Sequence, residues 1–112
     1  MNDIENRQRQ IAETNDQVRQ TLARDRLMVT VGIQELSQET QNRIFTAIET
    51  YDSFKPSNDP YLEHDFGKVD VDGHTVFWKL EYYDNNLEYH TPDALNRSVT
   101  RRVLCVMLAE EY

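Results

Sequence analysis

Apolar residues are sparse over the first 24 positions. Ile4, Ile11, Val18 and Leu22 nonetheless fall on one narrow stripe of a helix. Asn2 ahead of Glu5 and Thr14 ahead of Gln17 both fit a capping box, which gives the helix two candidate starts. The later start leaves residues 1–13 as a frayed amino-terminal extension. So thin a stripe predicts a helix that lies across the domain edge or awaits a partner, a second copy of the chain included. From Leu27 to Ile33 the rhythm changes to alternation, Leu27, Val29, Val31 and Ile33 against Met28, Thr30 and Gly32, which predicts a strand. Ser37 then caps a helix with Glu39 in its first turn and Ile44, Phe45, Ile48 and Tyr51 on one face, ended by Phe54 and Pro56.

The sharpest pattern lies between Phe66 and Tyr83. Asp72-Gly73 sits between two alternating runs, the signature of a two-residue type I′ turn. That turn pairs Val71 with His74, Val69 with Val76 and Gly67 with Trp78. It places Val69, Val71, Val76, Trp78, Leu80 and Tyr82 on the core face, and a slip of one residue would bury charges instead. Asn85-Asn86 is a second turn signal. The last segment, Ser98 to Tyr112, predicts a helix capped by Ser98, from its length, Leu104, Met107, Leu108 and the closing Ala-Glu-Glu-Tyr. Val103 and Val106 pull the other way, towards a buried strand. The expected fold is α+β over a single domain, residues 1–112. It comprises a small antiparallel sheet round a central hairpin (about residues 66–83), a strand near 27–33, and two or three helices.

Composition narrows the function. The 112 residues carry 20 acids against 12 bases, a net charge of −8. Ten acids and only three lysines fall within residues 51–93, alongside most of the tyrosines. Such a field repels phosphate backbones and attracts basic proteins, so direct nucleic-acid binding is not expected. The longest apolar run, Val103 to Ala109, is far too short to span a bilayer, and the amino terminus has no apolar leader stretch. A single cysteine, Cys105, in apolar surroundings suits a reducing compartment. A cytoplasmic protein without membrane attachment is the expectation.

Candidate chemistry centres on Glu63, His64 and Asp65 within Asn58-Asp59-Pro60-Tyr61-Leu62-Glu63-His64-Asp65-Phe66-Gly67. Asp59-Pro60 is a turn, because proline drives Asp59 out of the helical region. In an extended chain Glu63 and Asp65 point one way and His64 the other, so the three make a poor chelate. His74 lies at the far end of the ladder, about 25 Å away. His90 beside Glu88 is the remaining helper, with nothing in its spacing to select it. No metal or other cofactor is expected. Neither an activated nucleophile nor a glycine-rich phosphate loop accompanies the histidine. The plain reading of His64 is a hydrogen-bonded strand-entry residue, opposite Glu81 if the ladder reaches that far.

These blocks resemble a small bacterial family, the domain of unknown function 3768 family. The resemblance rests on Asn58 to Gly67, on Val76 to Asp84 and on Thr100 to Tyr112, with Arg26 to Leu36 similar to its amino-terminal block. It covers about residues 11–112. Asn58, Asp59, Pro60, Tyr61, Glu63, His64, Asp65, Phe66, Gly67, Trp78, Lys79, Tyr82, Tyr83 and Asp84 fit the family pattern, whereas His90 stands where a glycine is expected. The family has no established activity. Its frequency on plasmids and other mobile elements implies an accessory or counter-defence role.

Two functional readings follow. The first is a small acidic, non-enzymatic protein-binding module, in concrete form an inhibitor of a basic or nucleic-acid-binding protein. It would work through Tyr83, Asp84, Glu88, Tyr89 and Asp93. The second is a small hydrolase or nuclease using Glu63, His64 and Asp65. A homodimer through the polar first helix is a further expectation.

Overall fold

A computed structural model describes residues 3–21 and 27–112, with the Thr21 side chain excepted. In chain order the elements are α1 (Asp3–Thr21), β1 (Leu27–Val29), α2 (Val31–Gln34), α3 (Gln38–Glu49), β2 (Phe66–Val71), β3 (His74–Tyr83) and β4 (Arg101–Leu108). Single 3₁₀ turns flank β4 at Arg97–Val99 and Ala109–Glu111. The strands form one four-stranded sheet in the order β1-β4-β3-β2. β2 and β4 pair antiparallel with β3, while β1 runs parallel to β4. The fold is α+β, as the patterning predicts, although the sheet is mixed rather than wholly antiparallel.

The hairpin register is the predicted one, with Val71 opposite His74, Val69 opposite Val76 and Gly67 opposite Trp78. Asp72 and Gly73 take φ of 52° and 82°, the left-handed pair that a type I′ turn needs. Asp72 also has a tertiary task. Its carboxylate accepts from Thr40 Oγ1 at 2.8 Å and from Arg43 Nε at 2.9 Å, which ties the turn to α3. These bonds hold its pKa below the usual carboxylate value. Trp78 is fully buried, and its indole lies directly over Gly67, where a Cβ would fall 2.4 Å from Nε1. Only glycine allows that closeness. Tyr51 and Phe54 meet the indole edge-on, at centroid distances of 5.4 and 6.1 Å. The core is completed by Ile33, Ile44, Ile48, Val69, Val76, Leu80, Leu104, Val106 and Leu108. α3 keeps its predicted cap, with the Thr40 amide donating to Ser37 Oγ.

Two expectations need correction. Residues Leu27 to Ile33 are not one strand: pairing stops at Val29, the Thr30 amide makes the last bond to the Val106 carbonyl, and Val31–Gln34 turns into a helix. The cause lies far along the chain. Glu111 accepts from Thr30 Oγ1 at 2.6 Å and from the Gly32 amide at 3.0 Å, which stabilises the opening of the turn. Ile33 is therefore buried through the helical turn, while Val31, its supposed face-mate, is 64% exposed.

The carboxy-terminal segment is strand β4, not a helix capped by Ser98. Asn96, not Ser98, caps the short 3₁₀ turn before it. β4 lies between β1 and β3 with both faces shielded. Arg102, Leu104, Val106 and Leu108 turn to the helices, and Val103, Cys105 and Met107 form a small second cluster with Phe77 and Tyr83. A central strand buried on both sides reads as an unbroken apolar run, which periodicity alone cannot distinguish from a buried helix.

α1 is continuous from Asp3 and runs through the later candidate start at Thr14; the earlier cap, Asn2, lies outside the described residues, as does Leu22. Its stripe is only partly spent on the core, since Ile11 is buried and Ile4 is exposed. Among the described residues, no helix is long and apolar enough to cross a membrane.

The Trp78–Gly67 contact makes a direct prediction. Trp78→Ala should lower unfolding free energy by about 3–5 kcal/mol, the usual scale for a large core truncation. Gly67→Ala alone should also destabilise, because the methyl meets the indole. In the double variant the methyl has room, so its penalty should largely vanish. Urea melts of the four proteins measure this; strictly additive losses would contradict the contact.

Candidate functional site

Between α3 and β2 the chain folds into a compact loop that builds its own bonds. Asn58 accepts from the Lys55 amide and donates to the Ser53 carbonyl. Asp59, almost fully buried, accepts from the His64 amide at 3.1 Å and so closes a turn over Pro60. Leu62 and His64 both take positive φ, 58° and 55°. Residues 63–65 are thus not an extended strand entry. The ladder ends at Phe66 opposite Lys79, with one more bond from the Leu80 amide to the Asp65 carbonyl, so His64 never stands opposite Glu81.

The left-handed turn sends His64 to α1. Its ring lies flat on Phe54, with centroids 3.9 Å apart and planes within 1°. Nδ1 is 3.0 and 3.1 Å from the two oxygens of Asp16, and Nε2 is 3.6 Å from Asp59 Oδ2. Both ring nitrogens therefore face carboxylates. Asp16 also receives Arg19, only 1% exposed, which donates to the Ile48 and Glu49 carbonyls at the end of α3 and packs over Phe54 and Trp78. A cation at those carbonyls favourably complements the helix dipole.

Glu63 turns to the sheet instead. Tyr82 donates its hydroxyl to Glu63 Oε1 at 2.9 Å and accepts from Asn15 Nδ2 at 2.7 Å. Asn15, fully buried, also donates to the Glu63 carbonyl and accepts from Arg102 Nε at 2.6 Å. Arg102 stacks on the Tyr82 ring and donates to the Ala94 carbonyl. Burial and the nearby Glu63 carboxylate raise the Tyr82 phenol well above its ordinary value, and burial lowers the Arg102 guanidinium. Asp65 is elevated, first by burial and then by Glu63. Within the supposed catalytic cluster, His64 thus turns to α1, while Glu63 and Asp65 both act on the Tyr82 phenol.

Beyond β3, the Asp84 carboxylate accepts from the Asn86 and Glu88 amides, its own amide donates to the Tyr89 carbonyl, and Leu87 sits at φ 59°. This turn projects Leu87, Glu88 and Tyr89 outwards, Tyr89 being 72% exposed. Asp93 is bound to Arg7 of α1 at 2.6 Å. Tyr83 lies on the opposite sheet face, hydrogen-bonded to Glu81, which raises its phenol to about 12. The five predicted contact residues therefore divide: Glu88 and Tyr89 project, Asp84 and Asp93 hold the loop, and Tyr83 packs on the far face. Across a groove of about 470 Å³, the 90–94 stretch faces Tyr61 and Glu63, with Arg7 and Ile11 of α1 at its side.

Chemically, this is a set of structural bonds, satisfied apart from the buried Arg19 Nε, framed by exposed aromatic tips. Burial pushes the Cys105 thiol up to about 11, which suits a packing residue rather than a nucleophile. Among the described residues, no three His, Cys, Asp or Glu side chains are arranged to hold a metal ion. Sequence reasoning missed Asn15, Asp16, Arg19 and Arg102. The first and third continue the line of Ile11 at four-residue steps, a signal that was present but polar.

A family model described as "Protein of unknown function (DUF3768)" matches residues 29–111. No curated protein and no solved structure matches the chain.

Asp65 supplies a pH-dependent prediction. A carboxyl whose folded pKa is raised favours the protonated folded state, so its ionisation costs stability as pH rises past the ordinary carboxylate value. Asp65→Asn should melt higher than the native protein at pH 7. That advantage should shrink once the pH falls below the ordinary carboxylate range. A constant difference across the series would contradict the shift.

Proposed function

Since the chain belongs to the DUF3768 family, whose description carries no activity, we propose from its surface that it is a small acidic, non-enzymatic protein-binding module. Its partner presents a basic face, and both act in the cytoplasm. One observation carries the reading. Two tightly bonded turns, each with a leucine at positive φ, expose Tyr61 and Leu62 on one and Leu87 and Tyr89 on the other, and Tyr61 also lines the groove beside the 90–94 stretch. Exposed aromatic side chains on pre-ordered turns are effective anchors, since little entropy remains to be lost on binding. The net charge of −8 supplies long-range attraction for a basic partner. In the mobile-element setting that the family resemblance implies, the concrete form is an inhibitor covering the nucleic-acid-binding surface of a host protein.

The hydrolase or nuclease reading has less support. Glu63 is bonded to Tyr82 while the His64 ring is turned to Asp16 and Asp59, so the two do not converge on one point.

The test begins with a pull-down from host lysate at low and high salt, followed by kinetics with the protein recovered. Glu88→Lys should slow association, and Tyr89→Ala should mainly speed dissociation. Neither side chain makes a structural bond among the described residues, so both variants should melt like the native protein. Asp84 and Asp93 suit the test poorly because they build the loop. Unchanged rates in both variants would remove this surface from the proposal.

A further inference from the structure

We infer that the groove between α1, the Tyr61–Glu63 turn and the 90–94 loop is a slot for one arginine or lysine side chain of the basic partner, with Arg7 in its wall as an internal competitor for Asp93. The inference rests on the protein-binding reading and deepens it. The groove's volume, about 470 Å³, is ample for a long cationic side chain. Tyr61, Tyr82 and Pro92 contribute ring and aliphatic walls, and Glu63 and Asp93 contribute carboxylates. Such a combination favours a cation, through ring faces and charge together.

Three particulars sharpen the assignment. The Tyr82 hydroxyl fixes Glu63 by Oε1, while among the described residues Oε2 accepts no hydrogen bond. Asp93 already holds a guanidinium, that of Arg7, at 2.6 Å, with side-chain exposures of 47% and 43% for Arg7 and Asp93. A pair so open to water is worth little and exchanges readily. The same tyrosine carries a second guanidinium, Arg102, over its ring at 5.1 Å. Aromatic and carboxylate groups thus already hold cations around this groove. An incoming arginine would take Glu63 Oε2 and compete with Arg7 for Asp93.

The probe is a capped pentapeptide with one arginine among alanines, set against its neutral citrulline counterpart and followed by amide ¹⁵N shifts of the full chain. The arginine peptide should saturably shift Tyr61, Tyr82 and Asp93, and the citrulline peptide should not. Arg7→Ala should tighten binding about two- to fivefold, because it removes the internal competitor. Glu63→Gln, which keeps an acceptor for Tyr82, should weaken it about tenfold. Equal effects of the two peptides, shifts confined to other regions, or weaker binding by Arg7→Ala would each overturn the slot. The peptide comparison uses the native chain and so does not depend on any variant folding. If the peptides fail while Glu88→Lys still slows association of the partner, the slot is overturned and the binding-module reading stands.

Discussion

The indole of Trp78 is the contact on which the rest of the molecule turns. It covers Gly67 across the hairpin and so locks the register. It receives Tyr51 and Phe54 edge-on where the chain leaves α3. It also lies beneath the Arg19 guanidinium of α1. From Phe54 the line of contact runs on to His64, stacked on its face, and from His64 to Asp16. The dry core and the polar loop are thereby one connected body, and a disturbance of the indole reaches the Asp59–Asp65 turn through a single ring.

α1 is seated in an unusual way. Ile11, Ala12 and the partly buried Val18 supply modest apolar contact, while Asn15 and Arg19 are buried to the full depth of the interface. Buried polar groups are tolerable only when satisfied, and both find carbonyl or side-chain partners, although Arg19 Nε is left without one. Such a seat is specific rather than strong. Its directional bonds position the helix so that Arg7 meets Asp93 and Asp16 meets His64, and they shape the groove that the functional reading uses.

The sequence was legible where local chemistry and tertiary need agreed. Asp72-Gly73 dictated both the turn and the register, and Ser37 with Ile44 and Ile48 dictated α3. It misled where distant residues decided. Nothing near Val31 announces that Glu111 will stabilise a helical turn there, and nothing near Leu104 announces that β1 and β3 will flank it on both sides. At the site, Glu63, His64 and Asp65 were found by their composition, but the turn of His64 onto α1 depends on two left-handed residues that the sequence does not mark with glycine. Asn15 and Arg19 were overlooked because inward-facing positions were sought among apolar residues alone.

The parallel pairing of β1 with β4 bears on how the protein forms. Leu27 and its partner Leu104 are seventy-seven positions apart, whereas the hairpin partners Val71 and His74 are three apart. Contacts between distant positions carry a larger loop-closure cost and form later. On the ribosome β1 emerges well before β4 and cannot make its native pairing until β4 has been made. Its brevity, three residues ending at the Thr30 turn, limits the edge exposed in that interval and with it the chance of pairing with another nascent chain.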